Sequence, residues 1–304
     1  MSKTTQNIAI HLLKVLFFAV CGIYIYEKVV LDGFEFSYFL TPFDFTIFTI
    51  LMLLNWFIEA LKWKYLIREV EEIRVSNAIK STLAGLSFGL LTPNRMGNFI
   101  GKILYLKPEN RIKGTLYAFY GNFSQMLTTF LFGSLCFFWT FENYYSSMHV
   151  SLAILPFLFS MVMTFLFLHP EKLQFKWIAK VFSAEVSEVI HGLYAFQSKH
   201  KVLFYAALRH LVYTIQYLIV LSYSPNFDFI PVLLGIQMIF FLTTMIPSLV
   251  FGKMMVRGPV ALFVMATLGY STSFVLNAIL FIWLINIALP SLLGSFLFMV
   301  KKRG

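Results

Sequence analysis

Several runs of this 304-residue chain approach or exceed 18 residues without a charge, and no other feature restricts its fold so severely. A hydrocarbon core about 30 Å thick is crossed by about 20 apolar residues of helix. In lipid every backbone polar group must bond within its own segment or barrel. Composition points the same way: 59% of residues are hydrophobic and 12% charged, with a mean hydropathy of +0.77, against about 45–50% and about 25% in soluble domains. No ten-residue segments alternate with period two, which argues against a transmembrane barrel. The fold class is an all-α polytopic membrane protein.

The net charge of +10 does not mark a nucleic-acid surface, because Lys and Arg fall mostly in short connections between apolar runs. That is the positive-inside pattern. Cys21 and Cys136 lie inside apolar runs, so neither a disulfide nor a zinc framework is expected. The N-terminus lacks a small-x-small cleavage site and is read as an uncleaved first span.

Six full spans follow: 8–30, 45–66, 115–140, 150–168, 202–222 and 272–300. Residues 70–80 read as a short surface helix, and 170–201 as an amphipathic cytoplasmic segment joining halves 1–168 and 200–304. Lys301-Lys302-Arg303 places the C-terminus inside, and parity places the N-terminus there too. Two apolar stretches break this pattern. Ser81 to Leu106 is interrupted by Thr92-Pro93-Asn94-Arg95 and by Gly85, Gly89, Gly97 and Gly101. Ile230 to Tyr270 is interrupted by Gly252-Lys253 and Arg257-Gly258-Pro259. Basic connections flank the first and acidic ones precede the second, so each reads as a re-entrant helical hairpin, the two entering from opposite faces. The alternative for the second is a full span ending at cytoplasmic Lys253 and Arg257, with an unwound return. A pair of Gly/Pro-interrupted segments in corresponding positions is the sequence sign of an inverted-repeat transporter.

Arg95, Lys102, Lys253 and Arg257 are the foremost candidates for ligand binding, since bases at membrane depth are costly and tend to be functional. Glu59 is the one carboxylate well inside a predicted span. It sits three residues before Lys62, within pairing distance on a helix, and cannot neutralise all the bases. An anionic ligand resolves the imbalance, aided by half-helix N-termini and by the bidentate fork of arginine. Lys62 and Trp63 read as interfacial anchors. Asn122 and Gln125 share a face of the third span, and Arg209, His210 and Gln216 lie in the span from Val202; for the amides the plain reading is interhelical hydrogen bonding, and for Arg209 snorkelling towards Lys201. Asn98 follows Gly97 in the first broken stretch, and Asn286 and Pro290 mark a kink in the last span. No metal-ligand spacing, phosphate loop or nucleophile–base pair is present, so no cofactor and no enzyme activity are expected.

Glu59-x-x-Lys62-Trp63, Thr92-Pro93-Asn94-Arg95-Met96-Gly97 and Gly121-Asn122-Phe123-Ser124-Gln125 occur in that order. After them come Leu208-Arg209…Gln216-Tyr217, Ile246-Pro247-Ser248, Val256-Arg257-Gly258 and Trp283-Leu284-Ile285-Asn286…Pro290. The ordered set resembles the lysylphosphatidylglycerol synthase transmembrane region, or flippase-like domain. The resemblance implies a protein of the bacterial cytoplasmic membrane that moves a phospholipid or polyprenyl-phosphate-linked lipid between leaflets. The bifunctional members carry a cytosolic aminoacyl transferase domain; this sequence ends at Gly304 without one, so synthesis is not expected. The family's usual acidic residue after the glycine is replaced by Asn98. Rival expectations are an accessory subunit of an envelope glycan or lipid enzyme, and a secondary transporter of a small anion. The expected partners are a membrane lipid and an envelope-biosynthesis enzyme, with no nucleic acid; a homodimer is left open.

Overall fold

Helix α1, Pro42–Ile67, begins at a capping box. The Asp44 carboxylate accepts from the Thr41 amide at 2.6 Å, and the Thr41 hydroxyl accepts from the Asp44 amide at 3.3 Å. Pro42 occupies the first turn, where a missing N–H costs nothing. The computed structural model describes residues 23, 25–27, 41–90, 92, 97–144, 151–169, 199–246 and 252–301; they are helical apart from short turns, with no strand among them.

The next two helices, α2 (Val75–Leu90) and α3 (Gly97–Ile103), fold back on each other. Their closeness requires glycine: a Cβ on Gly101 would lie 2.3 Å from the Gly85 amide nitrogen. Thr92 ties the turn, its Oγ1 donating to Phe88 O at 3.1 Å and accepting from the Gly97 amide at 2.6 Å. At the open end the Glu71 carboxylate accepts from the Lys107 amide at 3.0 Å and from Asn110 Nδ2 at 2.9 Å. Seven residues of α3 extend only about 10 Å, so this leg cannot cross a hydrocarbon core.

Helix α4, Arg111–Tyr144, packs along α5, Ser151–Leu168, through a stacked Tyr120–Phe167 pair with centroids 4.3 Å apart. Pro156 sits inside α5. Helix α6, Lys199–Leu221, runs antiparallel to α1. Just beyond its end the Tyr223 hydroxyl donates to Asp44 at the start of α1.

A second hairpin follows, α7 (Phe229–Met245) against α8 (Gly252–Ala266). Asn226 Nδ2 donates to Gly269 O at 2.6 Å and closes its base, and the Tyr270 hydroxyl donates to Leu221 O at 3.2 Å. This base therefore adjoins the end of α6 and the start of α1, whereas the first hairpin's base adjoins the end of α1. The two hairpins open at opposite ends of the α1–α6 pair.

The chain ends in α9 (Thr272–Trp283), a π-helical turn over Leu284–Ala288 and α10 (Leu289–Lys301). Asn286 Nδ2 donates to Ile282 O at 3.1 Å, and Pro290 follows, so the expected kink is a π turn whose amide meets a backbone carbonyl. Helix α10 presses on α2, with the Ser87 hydroxyl donating to Ser291 O at 2.6 Å.

Several boundaries differ from those expected. The surface helix at 70–80 and the first leg of the broken stretch are one continuous helix from Val75. Gly252 to Pro259 is not a gap: α8 starts at Gly252 and carries Pro259 within it, as membrane helices can when neighbouring groups satisfy the backbone that a proline frees. Lys199 and Lys201 belong to α6, and Lys199 is buried. The rest of the 170–201 segment and most of the 8–30 span lie outside the described residues. Among the described residues three helical runs are long and apolar enough to cross a membrane: α1, α6 and Thr272–Leu297.

Two apolar cores meet along α1. One gathers Phe48, Met52 and Trp56 with Tyr217, Ile236, Ala261 and Ile279; the other gathers Ala60, Trp63, Leu66 and Ile67 with Leu106, Tyr117 and Phe167. The seam between them falls at Glu59. Because the Gly101–Gly85 approach is backbone on backbone, Gly101→Ala should destabilise the protein by about 1–3 kcal/mol or more, read as a lowered thermal midpoint in detergent. An unchanged midpoint would mean that the hairpin legs are not packed as described.

Candidate functional site

At the seam, a single carboxylate gathers three bases from three elements. Glu59 Oε2 meets Lys62 Nζ at 2.9 Å and Arg209 Nη1 at 2.5 Å, and Oε1 meets Lys102 Nζ at 2.7 Å. Glu59, Lys62 and Lys102 are all at most 3% exposed, and Arg209 is 12% exposed. The first two come from α1, Lys102 from the short α3 leg and Arg209 from α6. Lys62 also donates to Gly121 O at 3.1 Å. Arg209 Nε donates to Asn55 Oδ1 at 2.9 Å, and Asn55 Nδ2 donates to Asn286 Oδ1 at 3.4 Å, linking the cluster to the π turn. Lys102 Nζ lies 5.4 Å from the Trp63 ring centre, and the Arg209 guanidinium 5.6 Å from that of Trp56.

Helical spacing explains the assembly. Asn55, Glu59, Lys62 and Trp63 fall at intervals of four, three and one, so one face of α1 presents all of them to α3 and α6. Three cations around one carboxylate leave an excess of two positive charges in an apolar surrounding, and an ionic group so placed must be compensated to be tolerated.

The structure divides the expected site residues. It unites Glu59, Lys102 and Arg209, and adds Lys62. Arg209 does not snorkel towards Lys201, because Glu59 and Asn55 hold it inside; Lys62 and Trp63 are not interfacial anchors, since both are fully buried. Arg257 stands apart in the second hairpin. Its Nη1 donates to the Tyr217 hydroxyl at 3.3 Å and its guanidinium lies 5.7 Å from the Phe240 ring centre. No carboxylate among the described residues reaches it, and its Nε is buried without an acceptor. Gln216 is fully buried with neither amide atom partnered. Gln125 Nε2 donates to Ala206 O at 3.3 Å, an interhelical bond, and Asn122 is half-buried without a bond to the cluster. Asn98 Oδ1 is buried between the legs of the first hairpin, opposite Gly85. Arg95 and the side chain of Lys253 lie outside the described residues.

Three participants were missed in the sequence. Asn55 lies one helical turn before Glu59, a spacing that flags it. Trp56 carried no signal of its own. Gln237, in an apolar leg, bonds His210 at 2.5 Å and donates to Thr214 Oγ1 at 3.0 Å, forming a second buried network. No group of three or more metal-ligating side chains occurs among the described residues.

A helical bundle of this hydropathy, with three helical runs long and apolar enough to cross a bilayer, defines an integral membrane protein. It belongs to the family described as the lysylphosphatidylglycerol synthase TM region, whose model matches residues 11–294, and so to a family concerned with lipid handling. Comparisons with curated proteins and with solved structures gave no significant match.

Since Glu59 is shared by three bases, Glu59→Gln should cost about 3–5 kcal/mol by leaving them uncompensated. A double-mutant cycle with Lys102→Gln should return a coupling of about 0.5–3 kcal/mol. Thermal unfolding of the four proteins in one detergent checks both; additive effects would mean that the 2.7 Å contact carries no energy.

Proposed function

We propose that this protein is a lipid translocase of the bacterial cytoplasmic membrane, with both termini cytoplasmic and no enzymatic activity of its own. The observation that carries the reading is Arg257: a half-buried guanidinium on a helical hairpin, facing Tyr217 and Phe240, with no carboxylate partner among the described residues. Such a group is an acceptor-seeking charge where an anionic or zwitterionic headgroup can be held by a charge-assisted bond. The acyl or polyprenyl chains stay in lipid meanwhile.

Two hairpins opening at opposite ends of the α1–α6 pair support alternating access. Each is a re-entrant element entering from one face, and rocking of one half against the other exposes the site to each leaflet in turn. The first leg of the second hairpin has 17 residues against 23 in α6, which suits a hairpin that stops within the membrane. No nucleotide-binding motif occurs in the sequence, so translocation runs on a gradient or on consumption of the lipid downstream. The partners under this reading are a membrane lipid and an envelope-biosynthesis enzyme.

A leaflet-resolved assay of headgroup-labelled phospholipids in proteoliposomes tests the reading. Wild-type protein should equilibrate label across the bilayer, and Arg257→Ala should slow it by about tenfold or more. Wild-type vesicles that match protein-free ones would remove the translocase reading, and an Arg257→Ala variant as fast as wild type would remove the site. Topology has its own check: with Cys21 and Cys136 replaced, a cysteine at position 253 should resist cytoplasmic labelling. Strong labelling there would make the second hairpin a full crossing.

A further inference from the structure

The bases around Glu59 and the base at Arg257 answer to different chemistry. Arg257 offers one charge. The Glu59 cluster offers an excess of two, and its hydrogen-bonding capacity is equally lopsided. Lys102 has three donors and bonds Glu59 with one; Arg209 has five and bonds Asn55 and Glu59 with two. Beside them stand two further donors. The indole Nε1 atoms of Trp56 and Trp63 are buried without an acceptor, and these are the same two rings that flank Arg209 and Lys102. Both side chains are more than nine-tenths buried, with Trp56 7% exposed and Trp63 0%. A buried cluster rich in donors and positive charge is complementary to a compact group that brings several acceptor oxygens and two negative charges.

We propose that the cluster of Lys62, Lys102 and Arg209, flanked by Trp56 and Trp63, is a binding site for a doubly charged phosphate group, a phosphomonoester or diphosphate, for which the Glu59 carboxylate is the resident competitor. A singly charged phosphodiester leaves one buried charge uncompensated and is discriminated against. Glu59 already occupies the acceptor position that a phosphate oxygen takes, bridging α1, α3 and α6. Lys102 reaches it from the seven-residue α3 leg, which packs on α2 and α4 and is the shortest of the helices involved. Entry of phosphate exchanges the Lys102–Glu59 and Arg209–Glu59 contacts for contacts with the ligand. Arg209, the most exposed member of the cluster, marks the way in. The site is separate from Arg257. The proposal goes beyond the translocase reading and stands without it.

Binding to the full-length protein in phosphatidylcholine nanodiscs, followed by titration calorimetry, tests this. The probes are dioctanoyl phosphatidic acid, dioctanoyl phosphatidylglycerol and inorganic phosphate. A phosphomonoester gains its second charge near pH 6, so at pH 8 phosphatidic acid should bind about tenfold or more tightly than phosphatidylglycerol, and at pH 5 the advantage should shrink to about threefold or less. The groups facing the site are Glu59 and Lys62 from α1, Lys102 from α3 and Arg209 from α6. His210, the adjacent histidine, bonds Gln237 and stacks on Phe132 on another side of α6, so His210→Gln should leave the pH profile in place. Arg209→Gln should abolish the preference. The wild-type pH comparison stands by itself should that variant fail to fold. Inorganic phosphate that displaces phosphatidic acid at equal concentration supports the dianion site and makes free phosphate its ligand; displacement only at about 100-fold excess makes it a lipid site. Equal binding of the two phospholipids at pH 8, or a preference unchanged in folded Arg209→Gln, overturns the proposal. Loss of translocation with the preference intact would sink the translocase reading and leave this site standing.

Discussion

Glu59 is held by Lys62, Lys102 and Arg209 at 2.5 to 2.9 Å, and the architecture depends on that single carboxylate. Helix–helix association in lipid gains little from the hydrophobic effect, because lipid tails are as apolar as leucine. Close packing and polar contacts must do the joining. Here one side chain connects α1 with itself, with the short leg of the first hairpin and with α6. A buried pair of this kind is not strong evidence of stability, since desolvation offsets much of the Coulombic gain. Its value is in fixing register: α3 and α6 cannot slide along α1 without parting a charge from its partner.

The seam also explains why the molecule has two cores. Above Glu59 the apolar residues of α1 pack against α6, α7, α8 and α9; below it they pack against α4, α5 and the exit of the first hairpin. The polar residues of α1, α6 and the last helix meet where the two cores abut. Asn55 is the connecting piece, accepting from Arg209 and donating to Asn286. A ligand that alters the seam therefore acts on both cores at once.

Much of the fold was legible because lipid leaves so few choices. Apolar length and breaks in it located α1, α4, α5, α6 and the last helix, and the break at Thr92 to Gly97 falls between the legs of the first hairpin, whereas the one expected from Gly252 to Pro259 falls within the second leg of the other. The ends were read less well. Val75 opens α2 six residues before the apolar stretch begins, because the backbone bonds of a helix, such as the Ala78 amide donating to Arg74 O at 3.0 Å, do not depend on the apolarity of its first turn. Pro259 looked like a break but sits inside α8. Of the site, Glu59 stood out for its depth and Lys62 for its spacing, yet the convergence of Lys102 and Arg209 on Glu59 spans 43 and 150 positions. No local pattern carries a contact of that range. Composition showed that the bases outnumber the carboxylates but not which base each carboxylate serves.

The π turn at Leu284–Ala288 has a wider meaning for the last helix. Inserting one residue beyond the α-helical count rotates everything after it by roughly a quarter turn. Before the insertion the helix presents its core face to α6, α8 and α1; after it, Ser291 and Gly294 face α2, where a Cβ on Gly294 would lie 2.2 Å from Leu83 O. One continuous chain thus serves as two struts with different allegiances, joined at a swivel that Asn286 bridges to Ile282. Helix α10 is thereby committed to the first hairpin while α9 is committed to the core around α6 and α8, so the final helix is shared between the two parts of the molecule rather than owned by either.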